Sequence, residues 1–310
     1  MNFLIAPERL ELAEAVRDYL SGTHRPDVLR RLDAEANRDS DIWRGLVEMG
    51  LTGLLVPEDH GGLGMGLVDA ALIARECGRF CVAEPLVESA YVTVPWMIVQ
   101  GDTQRLGDVA SGEHRPLAAH RINGWEADGE GEALSSVDPL RNLARIGADA
   151  SDDPYLLNLG ALMASAQLVG LSEAMLDAAV EYSKMREQFG QPIGGFQAIK
   201  HKLADVAVAL EFARPVLWRA AQALEDGLES AALHVSHAKL AASDAAYLAG
   251  ESAIQVHGAM GYTYEVDLHF WMKRAWALAG AWGSRGFHAR RVDEAVIGGA
   301  HPIGPENTFA

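Results

Sequence analysis

The chain has 310 residues, with 26 Lys and Arg against 43 Asp and Glu, for a formal net charge of -17. At 49% apolar and 22% charged it has an ordinary globular composition, long enough for about two domains. The acidic balance argues against a nucleic-acid binder and against a polybasic membrane-surface protein, yet leaves room for a local basic cluster that holds an anion.

The first third reads as helices. Pro7 suits the first turn of a helix running to Leu20, with Gly22 as its stop. Ser40 or Asp41 caps a short helix through Trp43, Leu46, Val47 and Met49, which Gly50 ends. Residues 51–66 carry Pro57, Gly61, Gly62, Gly64 and Gly66 and read as a loop. Helical spacing resumes from Leu67 to about Gly78, and an apolar stretch follows from Pro85 to Val99. From Gly101 to Asp153 glycines accumulate and apolar runs are short, notably Leu117–Ala119 and Leu143–Ile146, which suits a few short strands.

From Leu156 onward the pattern is that of a helical bundle. Leu159–Lys184 is apolar on most faces, as a buried helix is. Phe196–Leu224 follows, with a kink expected at Pro215, then Glu229–His257, then Val266–Val296 as a fourth helix weakened in its middle by Gly280, Gly283 and Gly286. Four long helices with short connections predict an antiparallel bundle. The domain reading is therefore 1–100 helical, 101–155 a short β region, 156–297 the bundle, and 298–310 a disordered tail. Two cysteines are too few for a disulfide framework, residues 1–22 lack the features of a signal peptide, and no run of eighteen apolar residues lies free of charge. The expectation is a cytoplasmic chain with no membrane span.

Most candidate chemistry dissolves on inspection. Cys77 and Cys81 lack further ligands at zinc spacing and read as buried thiols. His234 and His237 have no carboxylate beside them in metal-ligand spacing. The Gly61–Gly66 run lacks the strand-then-helix context of a dinucleotide loop and reads as a tight turn. Two segments hold more. In Arg186-Glu187-Gln188-Phe189-Gly190-Gln191-Pro192-Ile193-Gly194-Gly195-Phe196-Gln197, an Arg at a helix end, a Gly/Pro turn, and an aromatic and an amide at the next helix start share one bundle corner. A solvated helix-ending Arg explains the residues equally well. In Gln255-Val256-His257-Gly258-Ala259-Met260-Gly261-Tyr262, small residues admit a ligand close to the backbone or simply end a helix.

Those two segments, together with Val56-Pro57-Glu58-Asp59-His60-Gly61-Gly62-Leu63-Gly64, resemble the acyl-CoA dehydrogenase family in order and spacing over most of the chain. The Gln255–Tyr262 segment departs from the family's Gln-x-x-Gly-Gly-x-Gly-Tyr by carrying Ala259. The resemblance implies a mostly α fold: an N-terminal helical domain, a middle β-domain, here reduced, and a C-terminal four-helix bundle. It implies FAD as cofactor, with the pyrophosphate arm held partly by a neighbouring subunit. Arg186 would pair with that pyrophosphate through its guanidinium fork. Gln197 and the backbone of Gln255, Val256, His257, Gly258 and Ala259 would line the same arm, with Gln188 and Phe189 as further contacts.

Two departures bear on activity. The middle region is short and shows no Trp-Ile-Thr-type flavin segment, only Trp125 within Ile122-Asn123-Gly124-Trp125. The family's reaction also needs a desolvated carboxylate to take the proton α to the thioester. One family position for it, twenty residues past Gly261-Tyr262, is Trp282, and the alternative near the start of the first bundle helix is Gly160. An indole accepts no proton. The expected catalytic set of this chain is therefore empty, with Glu265 and Asp267 as weak substitutes and Asp205 and Glu211 read as solvated.

The resemblance then implies a shortened subunit of a heteromeric α2β2 acyl-CoA dehydrogenase, a type found in actinobacterial steroid catabolism. A full-length partner subunit would carry the catalytic Glu, a steroid-derived CoA thioester would be the substrate, and an electron-transfer acceptor would take the electrons. The alternatives are a stand-alone flavoenzyme with a relocated base, and a non-catalytic scaffold. Trp218, Trp271, Trp276 and Trp282 read either as core or as interface anchors.

Overall fold

The computed structural model describes residues 5–35, 39–129, 131–302 and 304. Helix α1 spans Pro7–Thr23 and buries Ala13, Val16 and Leu20 on one face. It passes the expected stop at Gly22, which meets nothing that would exclude a side chain, and ends where the His24 N–H bonds the Leu20 carbonyl. Helix α2, Pro26–Glu35, escaped the sequence reading; Pro26 opens it, and Leu29 and Leu32 are its buried residues. Helix α3, Ser40–Glu48, is capped by Asp39 rather than Ser40 or Asp41: its side chain accepts from the N–H groups of Asp41 and Ile42 at 2.9 and 3.4 Å. The glycine-rich loop is a tight turn packed on itself. Gly64 N–H donates to the Val56 carbonyl at 2.9 Å, and a Cβ on Gly62 would collide with that same carbonyl.

Helix α4, Leu67–Arg79, is buried along most of its length and carries Cys77, which with Cys81 is a free buried thiol. Burial pushes both thiols far above their ordinary range, so they are inert. The Pro85–Val99 stretch becomes a π-helical segment, Val87–Thr93, continued by α5, Val94–Gln100; the short α6, Leu106–Ala110, follows separately. Three short strands follow: β1 Trp125–Ala127, β2 Ala133–Leu134 and β3 Leu143–Arg145, in the order β1-β3-β2, all antiparallel. Leu117–Ala119 is not a strand; next to it, His120 makes an isolated bridge with Ser151.

The bundle consists of α7 (Pro154–Met185), α8 (Gln197–Glu225), α9 (Ala231–His257) and α10 (Leu268–Gly280), with α11 (Arg285–Val296) against α9. Helix α8 continues through Pro215, which is exposed. The expected single helix 266–296 is two. At the break Ala281 is extended, Trp282 and Gly283 take φ of 57° and 101°, and the Ser284 hydroxyl caps α11. The charge count behind the membrane expectation needs correction, though the expectation itself does not. Pro154–Ser172 carries no charge, and α7 is long and apolar enough to cross a bilayer by length and composition. Its apolar window is 89% buried inside the protein, as the central helix of a bundle is. The tail expectation falls mostly on residues outside those described. Its first residues are ordered instead: the N–H groups of Gly298, Gly299 and His301 bond the carbonyls of Asp293, Val296 and Ala295 and extend the α11 end.

The N-terminal helices and the bundle share one hydrophobic core, running from Ala13 to Trp282. Helices α4 and α7 approach backbone to backbone: a Cβ on Gly78 would strike the Gln167 carbonyl, and one on Gly170 the Arg75 carbonyl. Beside this crossing the buried Glu173 carboxylate accepts from Arg75 (3.0 Å), Arg79 (3.4 Å) and Arg214 (2.9 Å), which pins α4, α7 and α8 together.

Candidate active site

Helices α7 and α9 end, and α8 begins, at the same end of the bundle. Arg186 closes α7, its N–H bonded to the Tyr182 carbonyl. A two-stranded hairpin follows, β4 (Glu187–Gln188) against β5 (Gln191–Pro192), turned by Phe189 and Gly190 at φ of 53° and 80°. The Ile193 N–H then returns to the Arg186 carbonyl at 2.8 Å, and a 3-10 turn, Ile193–Gly195, delivers Gln197 to the start of α8. The second segment meets the first through an aromatic stack: Tyr182 lies on His257 with ring centroids 4.3 Å apart and planes 29° apart. Gly258 ends α9 at φ 61°, and a 3-10 turn runs to Tyr262.

This geometry gathers the nine expected contact residues at one corner but divides them by orientation. Arg186, Gln188, Phe189, Gln197, Gln255, Gly258 and Ala259 are exposed, Phe189 at 93%. Val256 and His257 turn inward, and the His257 ring is spent on the Tyr182 stack and on the Ala253 carbonyl at 2.8 Å. Only backbone from those two can meet a ligand. The Arg186 guanidinium makes no hydrogen bond or ion pair among the described residues. Phe196 offers no capping side chain to α8, which starts at this same corner, so its first-turn N–H groups are left without a side-chain cap. A guanidinium next to an uncapped helix start is a phosphate-binding arrangement. The exposed donors at this corner are chemically suited to a phosphate group.

The other half of a flavin site does not fit. The strand region holds three strands of two or three residues, and Trp125 there is packed beneath Arg141, whose guanidinium lies 4.7 Å from the ring centre. Gly160 and Trp282, far apart in sequence, are in contact: a Cβ on Gly160 would overlap the Trp282 indole, which is only 5% exposed. The space between the two expected base positions is filled by an aromatic ring.

The substitute carboxylates are poor bases as well. Glu265 is exposed, and Asp267 is held by Arg30 at 2.6 and 2.9 Å. Asp205 is exposed, and Glu211 pairs with Arg214 on the surface. Each of the four is open to water or held by an arginine, the reverse of the desolvated, unengaged carboxylate that the reaction needs. Among the described residues no group of side chains can hold a metal; His234 sits 6.5 Å ring to ring from His301, and burial lowers it to about 4. Of the tryptophans, Trp282 is core, Trp218 and Trp271 pack half-buried against it, and Trp276 stands on the surface at 48% exposure.

Sequence reasoning missed the residues that hold the Trp282 turn, namely Asn123, Ser236, Lys239 and His288. Their partners lie 6 to 159 positions away, so no local pattern announces them.

Comparison with known proteins gives a consistent result. The acyl-CoA dehydrogenase N-terminal domain matches residues 6–105, and the acyl-CoA dehydrogenase C-terminal domain matches residues 154–297. Acyl-CoA dehydrogenase IpdE2 of Mycobacterium tuberculosis is 32% identical over 294 residues, covering 86% of this chain and 91% of its own length. Two solved structures share the fold. The Tcur3481-Tcur3483 steroid ACAD G363A variant has a TM-score of 0.84 at 22% identity, covering 95% of this chain and 99% of its own. The ChsE4-ChsE5 complex from Mycobacterium tuberculosis has a TM-score of 0.84 at 21% identity, covering 98% of this chain and 100% of its own.

Proposed function

Because the chain belongs to the acyl-CoA dehydrogenase family, FAD-dependent oxidoreductases acting on the CH–CH bond of acyl-CoA thioesters, we propose that it works as one subunit of a heteromeric enzyme of this type. Its part is to lend the Arg186 corner to a flavin seated mainly in a fuller partner subunit, which carries the catalytic Glu. One observation supports this most strongly. The Arg186 corner is exposed and unengaged among the described residues, while the position that the family reading gives to the proton acceptor carries Trp282 against Gly160. A chain that lends half a site and has given up the other half shows this asymmetry.

In that assembly Arg186 neutralises the phosphate arm through its two-pronged guanidinium, and the first-turn N–H groups of α8 add a fixed positive pole. Gln188 and Gln197 supply amide hydrogen bonds, Phe189 covers an apolar face, and the backbone of Gln255–Ala259 lets the ligand come close. Bound FAD supplies the hydride acceptor for the β-carbon of the thioester. The names of the similar proteins, a steroid ACAD and a two-component complex among them, support a heterotetramer acting on a steroid-derived CoA thioester. An electron-transfer acceptor would reoxidise the flavin. The apolar α7 lies inside the bundle, in keeping with a cytoplasmic assembly.

Co-expression with a full-length acyl-CoA dehydrogenase subunit tests the reading. A complex with one flavin per heterodimer, and a colourless inactive preparation of this chain alone, are the expected results. A lone preparation that carries FAD and oxidises thioesters refutes it.

A further inference from the structure

The break between α10 and α11 is held from every side. The Trp282 N–H donates to the Asn123 side-chain oxygen at 2.6 Å. The Trp282 carbonyl lies 2.9 Å from His288 Nε2, and His288 Nδ1 lies 3.1 Å from the Ser236 hydroxyl. A carbonyl can only accept, so Nε2 carries the proton and Ser236 donates to Nδ1. Lys239 reaches from α9 to the last carbonyls of α10, donating to Leu278 and Ala279 at 2.7 and 3.0 Å. Ser236, Lys239 and His288 are each 1% exposed or less. Within this frame Trp282 keeps a left-handed backbone, uncommon for a bulky residue, and its ring is set against Gly160 with His120 tilted at 6.3 Å. A residue forced into that conformation and satisfied at both backbone groups is over-determined by its surroundings.

We infer that Asn123 and His288 are positioning residues that clasp Trp282 in place, so that the indole permanently closes this chain's own acyl chamber. The reduced middle region thereby has a role of its own. It supplies Asn123 and His120 to brace the closure, where a fuller chain would use that region on flavin. The clasp rests on the reading that Trp282 stands at the base position, and it makes binding half-of-sites by construction: one thioester per heterodimer, in the partner's chamber. Gly160 is the complementary half of the device, since any side chain there would expel the indole.

The closure can be tested on the full chain alone, without any partner. In 5-fluorotryptophan-labelled protein, the ¹⁹F resonance absent from Trp282→Phe identifies Trp282. Asn123→Leu and His288→Leu are expected to shift and broaden that resonance, while Asn123→Asp, which keeps the acceptor oxygen, leaves it in place. Trp282→Gly suits the left-handed backbone and empties the chamber, and it should bind one free indole per chain by calorimetry, where the unaltered chain binds none. An unmoved resonance in both leucine variants, or no indole bound by a folded Trp282→Gly chain, overturns the clasp. In the heteromeric complex, butyryl-CoA should bind once per heterodimer; two per heterodimer also overturns it. Absence of any flavin-bearing complex counts against the subunit reading alone, because the single-chain experiments stand without it.

Discussion

Replacing Arg186 with Ala separates folding from cofactor binding. In the free chain the Arg186 side chain is exposed and engages no partner among the described residues, so its loss should change stability by no more than about 0.5 kcal/mol. In the assembled enzyme the same guanidinium would meet a phosphate in a covered site. Truncating one partner of such a charged pair costs about 2–5 kcal/mol, much of it from leaving the other charge unpaired. At about 1.4 kcal/mol per tenfold, that is roughly a 30- to 4,000-fold loss of flavin affinity. The uncapped start of α8 remains in the variant, which places the expectation toward the lower half of that range. Arg186→Lys keeps the charge without the fork and should fall between. The assay is FAD titration of apo-complex with flavin content after gel filtration, and the control is the melting curve of the chain alone. Unchanged flavin affinity in the Arg186→Ala complex would refute the reasoning. So would a large drop in the stability of the lone chain, since it would mean that Arg186 is structural.

Four further outcomes follow from the packing. Glu173→Ala leaves three guanidinium groups, from Arg75, Arg79 and Arg214, around an empty carboxylate position, and should lower the unfolding free energy in urea by about 3–5 kcal/mol. Gly170→Ala forces α4 away from α7 at the Arg75 carbonyl and should cost about 1–3 kcal/mol in the same measurement, without altering the exposed Arg186 corner. Burial lowers His288 and His234 from 6.5 to about 4, so the unfolded chain binds protons that the folded chain refuses. Their stabilisation is full above pH 6.5 and is lost as pH falls towards 4, and His288→Gln should flatten that part of a stability–pH profile. Burial likewise lowers Lys239 from 10.5 to about 7, so the unfolded chain alone holds that proton between the two values. Stability should therefore rise with pH across that window, a slope that Lys239→Met removes.

Much of the molecule could be read locally. Apolar spacing along 156–280 announced bundle helices, because a helix buries a face at fixed intervals whatever it packs against. The Gly-Gln-Pro turn after Phe189 and the Gly258 helix end set the corner, because these residues relieve or restrict backbone angles by their own covalent structure. The Asp39 cap was missed by one residue, a choice among neighbouring polar side chains that only the loop's path resolves. Helix α2 was missed because its two buried leucines give too weak a pattern in ten residues. The break at Ala281–Ser284 was marked by Gly283, yet glycine alone weakens a helix without ending it. It ends there because Lys239 takes the last carbonyls and Asn123 and His288 take both backbone groups of Trp282.

The sequence by itself determined the helical class, the placement of Arg186 at a bundle corner, and the absence of a carboxylate at positions 160 and 282. Those are properties of residue type and short-range spacing. Only the tertiary structure decided that Gly160 and Trp282 touch, that Asn123 anchors the turn between them, and that the N-terminal helices and the bundle share one core. Each of these joins segments far apart in the chain, and which buried polar atom meets which partner is set by how whole helices pack, not by any local pattern.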